Sequence, residues 1–444
     1  MQASKTIKAL LNALENRFKS PVILFGFYAG LLILCMAVLL FPKKMNSNIE
    51  HRAGRLDAYV VYKAMHLTGT DPGLNIYNLD ALRAANDDDT GRFITGPYYY
   101  TPPANAILKI PFLSGTSFFN YCKWFRLSDY GAQMLVVLLF LLLLRQVSPA
   151  MNSWTYMAIS AFAFSMFSPM YDVQSYIIQV TGIMSALVLA GFTATVFKQN
   201  HAARAALYAA SVFKIFPLLF IPFVLKPGIR SYMLFAFTCS AIAIITCVAG
   251  AYSMEQVSQF LGPKSLATKH HMQGAFSFYM NTSLVSDFMA ITKGGGNLAY
   301  LFAAVYDGVS LLLFIMFAVS AGRLFFREPA FLPNRLLFAV SMVILLLEVW
   351  PVTWAFSHII IFPYMCLLVA CTQIPKVLRI AAFVYPFCFS IPFLPELTGG
   401  PALLNPFLQG YNWVTEVNTV FAGLAITVLM KAGESKRPQF AAAH

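Results

Sequence analysis

Long apolar runs separated by short basic links dominate the chain. They lie at about 21–41, 131–145, 154–170, 175–197, 205–225, 231–251, 298–322, 336–350, 356–373, 379–395 and 413–430. A membrane-crossing helix needs about 20 apolar residues. Backbone groups in lipid must be satisfied internally, so runs this long and uniform predict helices and not barrel strands. Two polar stretches interrupt the pattern, 42–130 and 252–297. In the first, short helices are expected near 54–68, 77–86 and 103–113. The Asp71-Pro72-Gly73 turn separates the first two.

The run 205–225 decides the topology. Counted as one span, it puts Lys226 and Arg230 outside and flips every later basic link, including Arg323, Arg327, Arg335, Lys376 and Arg379. That opposes the bias of Lys and Arg towards the inner face. The run also carries Lys214 and Pro217 at its middle, a costly charge and a helix breaker. A re-entrant hairpin turning at Lys214–Pro217 removes both conflicts, because broken helices are tolerated at membrane depth where they line a polar cavity. The expected architecture is therefore all-α and polytopic, with about twelve membrane segments counting the hairpin as two. Residues 1–431 form a single transmembrane domain with outer loops 42–130 and 252–297, and 432–444 form a polar tail. Both termini lie in the cytoplasm.

Composition agrees. The chain is 59% hydrophobic and only 11% charged, against roughly 25% charged in soluble domains. A net charge of +13 raises the possibility of nucleic acid, but the basic residues sit in links between apolar runs, where they set topology and face anionic lipid. The seven cysteines form no CxxC pair and fall mostly inside apolar runs, so they read as small core hydrophobes. The run at 21–41 exceeds a signal-peptide core and ends in FPKK, as a retained first span does.

Ionisable residues in or near apolar runs are functional candidates by default. Lys214 either pairs with Asp307 or Glu348 for structure, or lines an outward cavity where it meets an anion such as a lipid phosphate. Glu348, near the outer end of its run, is placed to touch a polar substrate. His358, flanked by apolar residues, reads first as a satisfied structural histidine. The His270–His271 pair lies in an outer loop; without spaced partners it is a poor metal motif, and it suits a phosphate or sugar contact. Asp57, just past the first span, reads as a helix cap or as a general base at the lipid–water boundary.

Several segments together resemble glycosyltransferase family 87, within the GT-C glycosyltransferase architecture. DAYVVYKAM at 57–65 is similar to that family's Asp-led helix. NIYNLDALRAA at 75–85 and YYYTPPANAILKIP at 98–111 resemble its tyrosine–proline run. SVFKIFPLLFIP at 211–222 resembles its Lys-x-x-Pro hairpin, and MNTSL at 280–284, with Asn281, its outer-loop motif. WPVTWAFSHIIIFP at 350–363 resembles its Trp–His–Pro signature, with Thr353 in place of the usual Ser and the histidine one position later, at His358.

The resemblance implies an inverting transfer of a sugar, typically mannose, from a polyprenyl-phosphate sugar donor to a glycan or glycolipid acceptor on the outer face of a bacterial inner membrane. It makes Asp57 the base that deprotonates the acceptor hydroxyl. Lys214, with His270, His271 or His358, would stabilise the departing phosphate. Tyr100 and its aromatic neighbours suit a sugar or lipid groove. A single base suffices for single-step displacement, and neither a metal nor another cofactor is demanded. Two rivals stand beside this reading. A secondary transporter shares the broken helix and buried charges, but internal repeats typical of carriers are not visible. A lipid-linked glycan polymerase or ligase also has large outer loops, yet 252–297 lacks paired Arg-rich motifs.

Overall fold

The computed structural model describes residues 57–71, 73–85, 94, 98, 100–115, 117–147, 180–214, 217–218, 229–249, 252–261, 305, 312, 332–349, 360–390 and parts of 421–428. Among these the chain is helical and holds no strand. In chain order the helices are α1 (Asp57–Thr70), α2 (Leu79–Ala84), α3 (Pro102–Leu108), α4 (Phe118–Val147), α5 (Thr181–Val196), α6 (Asn200–Phe213), α7 (Ile229–Ala249), α8 (Met254–Leu261), α9 (Leu332–Val349), α10 (Phe362–Ala370) and α11 (Lys376–Ser390). A 3-10 turn over Ile110–Ser114 follows α3. The expected spans at 21–41 and 154–170 lie outside the described residues. Of 298–322 only 305 and 312 are described.

The described residues fall into two units, one drawn from 1–138 and 171–272, the other from 139–170 and 273–444. In the first, α1 to α3 pack with the start of α4 around one buried cluster. Tyr59, Tyr77, Tyr98, Tyr100, Tyr121, Phe118 and Phe213 all belong to it. Aromatic edges order this core: Tyr59 meets Phe118 at 5.5 Å with planes at 88°, a geometry worth about 0.5–1.5 kcal/mol beyond area burial.

Helix α4 begins well before the apolar run that predicted it at 131. Phe118, Tyr121 and Cys122 recur at helical spacing and are buried in the core. Ser117 opens the helix, its hydroxyl accepting from the Asn120 amide at 3.4 Å. Packing of that first face, and not the apolar run, sets where the helix starts. At 30 residues, α4 is the one described helix long and apolar enough to cross a membrane by length and composition. Helix α7 is apolar nearly all round and faces outward from its unit, with Phe237 72% and Val248 75% exposed.

Helices α5 and α6 form a tight hairpin. The link runs through Lys198 at φ 59, a left-handed backbone that a non-glycine residue adopts at some cost. It is held by the Gln199 amide donating to the Ala194 carbonyl at 2.7 Å. Gly191 permits the close approach: a Cβ there would lie 2.9 Å from Leu207 Cγ and 3.3 Å from the Ala203 carbonyl oxygen. Small residues bring membrane helices together in this way.

In the second unit, α9 packs on α10, and α10 on α11. The turn at Cys371–Pro375 is closed by the Ile374 amide on the Cys371 carbonyl at 3.1 Å. Arg379 Nε donates to the Val369 carbonyl at 3.0 Å. Tyr385 joins Phe362 and Phe421, at 6.4 and 6.1 Å between centroids.

Gly191→Ala should lower the thermal stability of the purified chain, by about 1–3 kcal/mol from overpacking, although the same change in an open helix stabilises by up to about 1 kcal/mol. In a Leu207→Ala background, the Gly191→Ala change should become neutral or stabilising. Thermal unfolding of all four proteins in detergent measures the reversal.

Candidate functional site

Asp57 opens α1. The helix behind it has a wide buried side and a narrow open one, in keeping with the amphipathic element its sequence implies. Tyr59, Val60, Val61, Lys63, Ala64 and Met65 are all buried. At 100° per residue these positions span about two thirds of the circumference, and the remaining arc carries half-buried Tyr62 with exposed His66 and Gly69, so α1 is mostly buried with one open flank. The aromatic residues at 112–121 partly cover that flank: the Tyr62 ring lies 5.2 Å from Phe112 and 5.6 Å from Tyr121. Burial over most of its circumference holds the axis of α1, and with it the place where the Asp57 backbone emerges.

The segment around Thr101 docks the expected first outer loop against the end of α6. Thr101 caps α3, its hydroxyl oxygen accepting from the Ala104 amide at 3.3 Å. Pro102 and Pro103 fill the first helical positions, where no N–H is needed. The same Thr101 hydroxyl donates to the Val212 carbonyl near the end of α6. Lys214 then leaves the helix with φ −142 and ψ 139, extended and half-buried. Pro217 lies in a short 3-10 turn and lacks the N–H that would have continued the α-helix onto Phe213. The break expected at Lys214–Pro217 is present; the return half of that hairpin lies outside the described residues.

A buried amide ties these parts together. Asn105 is 1% exposed. Its Oδ1 accepts from the Tyr98 hydroxyl. Its Nδ2 donates to the Tyr77 hydroxyl at 3.2 Å and to the Tyr252 hydroxyl. Tyr77 in turn donates to the Tyr100 carbonyl at 3.1 Å. The second expected outer loop joins through Gln256. Ser253 and Gln256 form a capping box: the Ser253 amide donates to Gln256 Oε1 at 2.8 Å and the Gln256 amide to Ser253 Oγ at 3.1 Å. Gln256 Nε2 then reaches the Leu74 carbonyl at 3.0 Å. Burial pushes the Tyr77 and Tyr98 phenols up from the ordinary 10.0, with neighbouring tyrosines adding to the shift. Burial also lowers Lys109 at the end of α3.

Of the residues singled out in the sequence, Tyr100 lies in the same buried cluster as Tyr59 and Phe213, the neighbours of Asp57 and Lys214. Glu348 lies in the last turn of α9. The Asp57 and Glu348 side chains, and all of His270, His271, Asn281 and His358, lie outside the described residues. Sequence reasoning passed over Asn105, Lys63 and Asp129. Lys63 and Asp129 are buried, 7% and 3% exposed, and a charge inside YVVYKAM was the available signal for the first. Among the described residues no cluster of His, Cys, Asp and Glu could hold a metal ion. No family model matches the chain, and no curated protein matches it.

Asn105→Leu should remove a partner from the Tyr98, Tyr77 and Tyr252 hydroxyls; Tyr77 keeps the Tyr100 carbonyl, so the main cost is the buried Tyr98 hydroxyl, at about 1–3 kcal/mol. Earlier thermal unfolding and faster proteolysis within 71–105 would show it. The raised phenols give a pH signature. A raised folded-state pKa stabilises fully below the unfolded value of 10.0 and is lost as pH rises above it. Stability should hold to about pH 10 and fall beyond, and tyrosinate absorbance from the buried phenols should appear only with unfolding.

Proposed function

We propose that the chain is a polytopic membrane glycosyltransferase of GT-C type. It would transfer a sugar, mannose in the first instance, with inversion from a polyprenyl-phosphate donor to an acceptor hydroxyl on the outer face. The observation that carries the reading is a shared core: Tyr59, Tyr100 and Phe213 belong to one buried cluster, which holds the backbones at Asp57 and Lys214 against the same three packed segments. An Asp-led helix, a tyrosine–proline segment and a lysine at a helix break are the parts that the family likeness requires in one place.

In this reading Asp57 Oδ takes the proton from the acceptor hydroxyl as its oxygen attacks the anomeric carbon. The bond to the phosphate oxygen breaks as the new glycosidic bond forms. The lipid phosphate leaves as an anion and needs no acid. Lys214 offers positive charge to that phosphate as charge develops, from a site open to water on the outer side. Glu348, Asn281, His270, His271 and His358 are candidates for the sugar and phosphate contacts.

Asp57→Asn should leave the protein folded and in the membrane while abolishing sugar transfer from labelled polyprenyl-phosphate sugars, measured by mass identification of the product. Full activity in that variant removes Asp57 as base. Lys214→Met should raise the KM for donor at least several-fold; an unchanged KM removes Lys214 from the donor site.

A further inference from the structure

We infer that the first outer loop does not stand in water above the membrane: the junction of α3, the 3-10 turn and the start of α4 is seated in the outer leaflet, on anionic lipid headgroups. The inference rests on the membrane reading above and adds the depth at which the loop lies.

The surface is built from two adjacent pieces. The Tyr121 hydroxyl donates to the Leu108 carbonyl at 3.2 Å, and Phe112 lies 5.0 Å from Tyr121, so the end of α3 lies against the first turns of α4. On their outward sides four large apolar side chains are open: Ile107 43%, Ile110 57%, Trp124 51% and Leu127 61%. Trp124 and Leu127 are three apart and share a helix face. Such a group on a loop that packs so much aromatic surface inward is not explained by lack of core space, and apolar clusters rimmed by charge mark an interaction surface.

Charge and length identify the occupant as lipid. Lys109 lies between Ile107 and Ile110 in sequence, and Lys123 directly precedes Trp124. The Lys123 ammonium lies 4.2 Å from the Phe119 ring centroid, which keeps the cation beside the helix. Tryptophan with lysine at one level is the pattern of a headgroup boundary, and each lysine near an anionic surface contributes about 1 kcal/mol. The helix itself fixes the depth. Thirty residues rise about 45 Å, against a hydrocarbon core of about 30 Å. The apolar run from 131 places the excess at the N-terminal end of α4, so Trp124 and Leu127 fall where the acyl chains meet the headgroups.

The test uses the full chain in vesicles of phosphatidylcholine and phosphatidylglycerol. Trp154, Trp350, Trp354 and Trp413 are replaced by Phe to leave Trp124 as the reporter. A lipid brominated near the headgroup end of its chains should remove most of the Trp124 emission, and aqueous acrylamide should remove little. Strong acrylamide quenching without bromolipid quenching would place the loop in water and overturn the inference. Quenching by neither would mean protein covers the surface, which also overturns it. If the reduced-tryptophan protein does not fold, the difference between the native chain and Trp124→Phe supplies the same signal. A second reporter separates this from the wider reading: Phe237→Trp on α7, in a chain lacking the other tryptophans. Bromolipid quenching at 237 but not at 124 rejects the seated loop and keeps the membrane protein; quenching at neither position rejects both.

Discussion

A carboxamide buried without partners destabilises a fold by several kcal/mol, and that constraint organises the first unit. Asn105 avoids the penalty only if Tyr77, Tyr98 and Tyr252 arrive together. Those tyrosines come from three separate stretches of chain. Once they converge, Thr101 lies within reach of Val212, and the Tyr100 carbonyl has its donor in Tyr77. The geometry around the break at Lys214 thus follows from the satisfaction of one side chain seven residues downstream of Tyr98, where the polar stretch turns aromatic.

Hydrophobic packing supplies the strength and hydrogen bonding the specificity. The aromatic cluster would accept many arrangements of rings, because edge-to-face contacts are broad minima. The amide accepts few. Lys63 and Asp129, both buried, raise the same demand for pairing within α1 and α4, since buried charges persist only when compensated. These helices therefore carry polar obligations that make their register unique.

What was legible in the sequence had a local cause. Asp57 at the head of α1, the Asn78 cap of α2, the Thr-Pro-Pro start of α3 and the break after Phe213 each follow from a residue acting on its own backbone. What was not legible depended on partners distant in sequence. The helical stretch 118–130 reads as polar loop until Phe118, Tyr121 and Cys122 find a core. The partial cover over Tyr62 on α1 depends on Phe112 and Tyr121. Asn105 in PPANAIL looks like an ordinary polar residue, because its value lies in a tyrosine 147 positions away. The GT-C reading of the sequence concerns chemistry at Asp57, and its substrate contacts fall largely on residues beyond those described.

Gln256 carries one more consequence. Its carbonyl oxygen serves the start of its own helix, and its amide nitrogen serves the turn at Leu74. Neither partner can be released alone without the side chain losing its reason to stay. One side chain therefore joins the helix start at Ser253 to the turn at Leu74, two points far apart in sequence, so its loss would loosen both ends together.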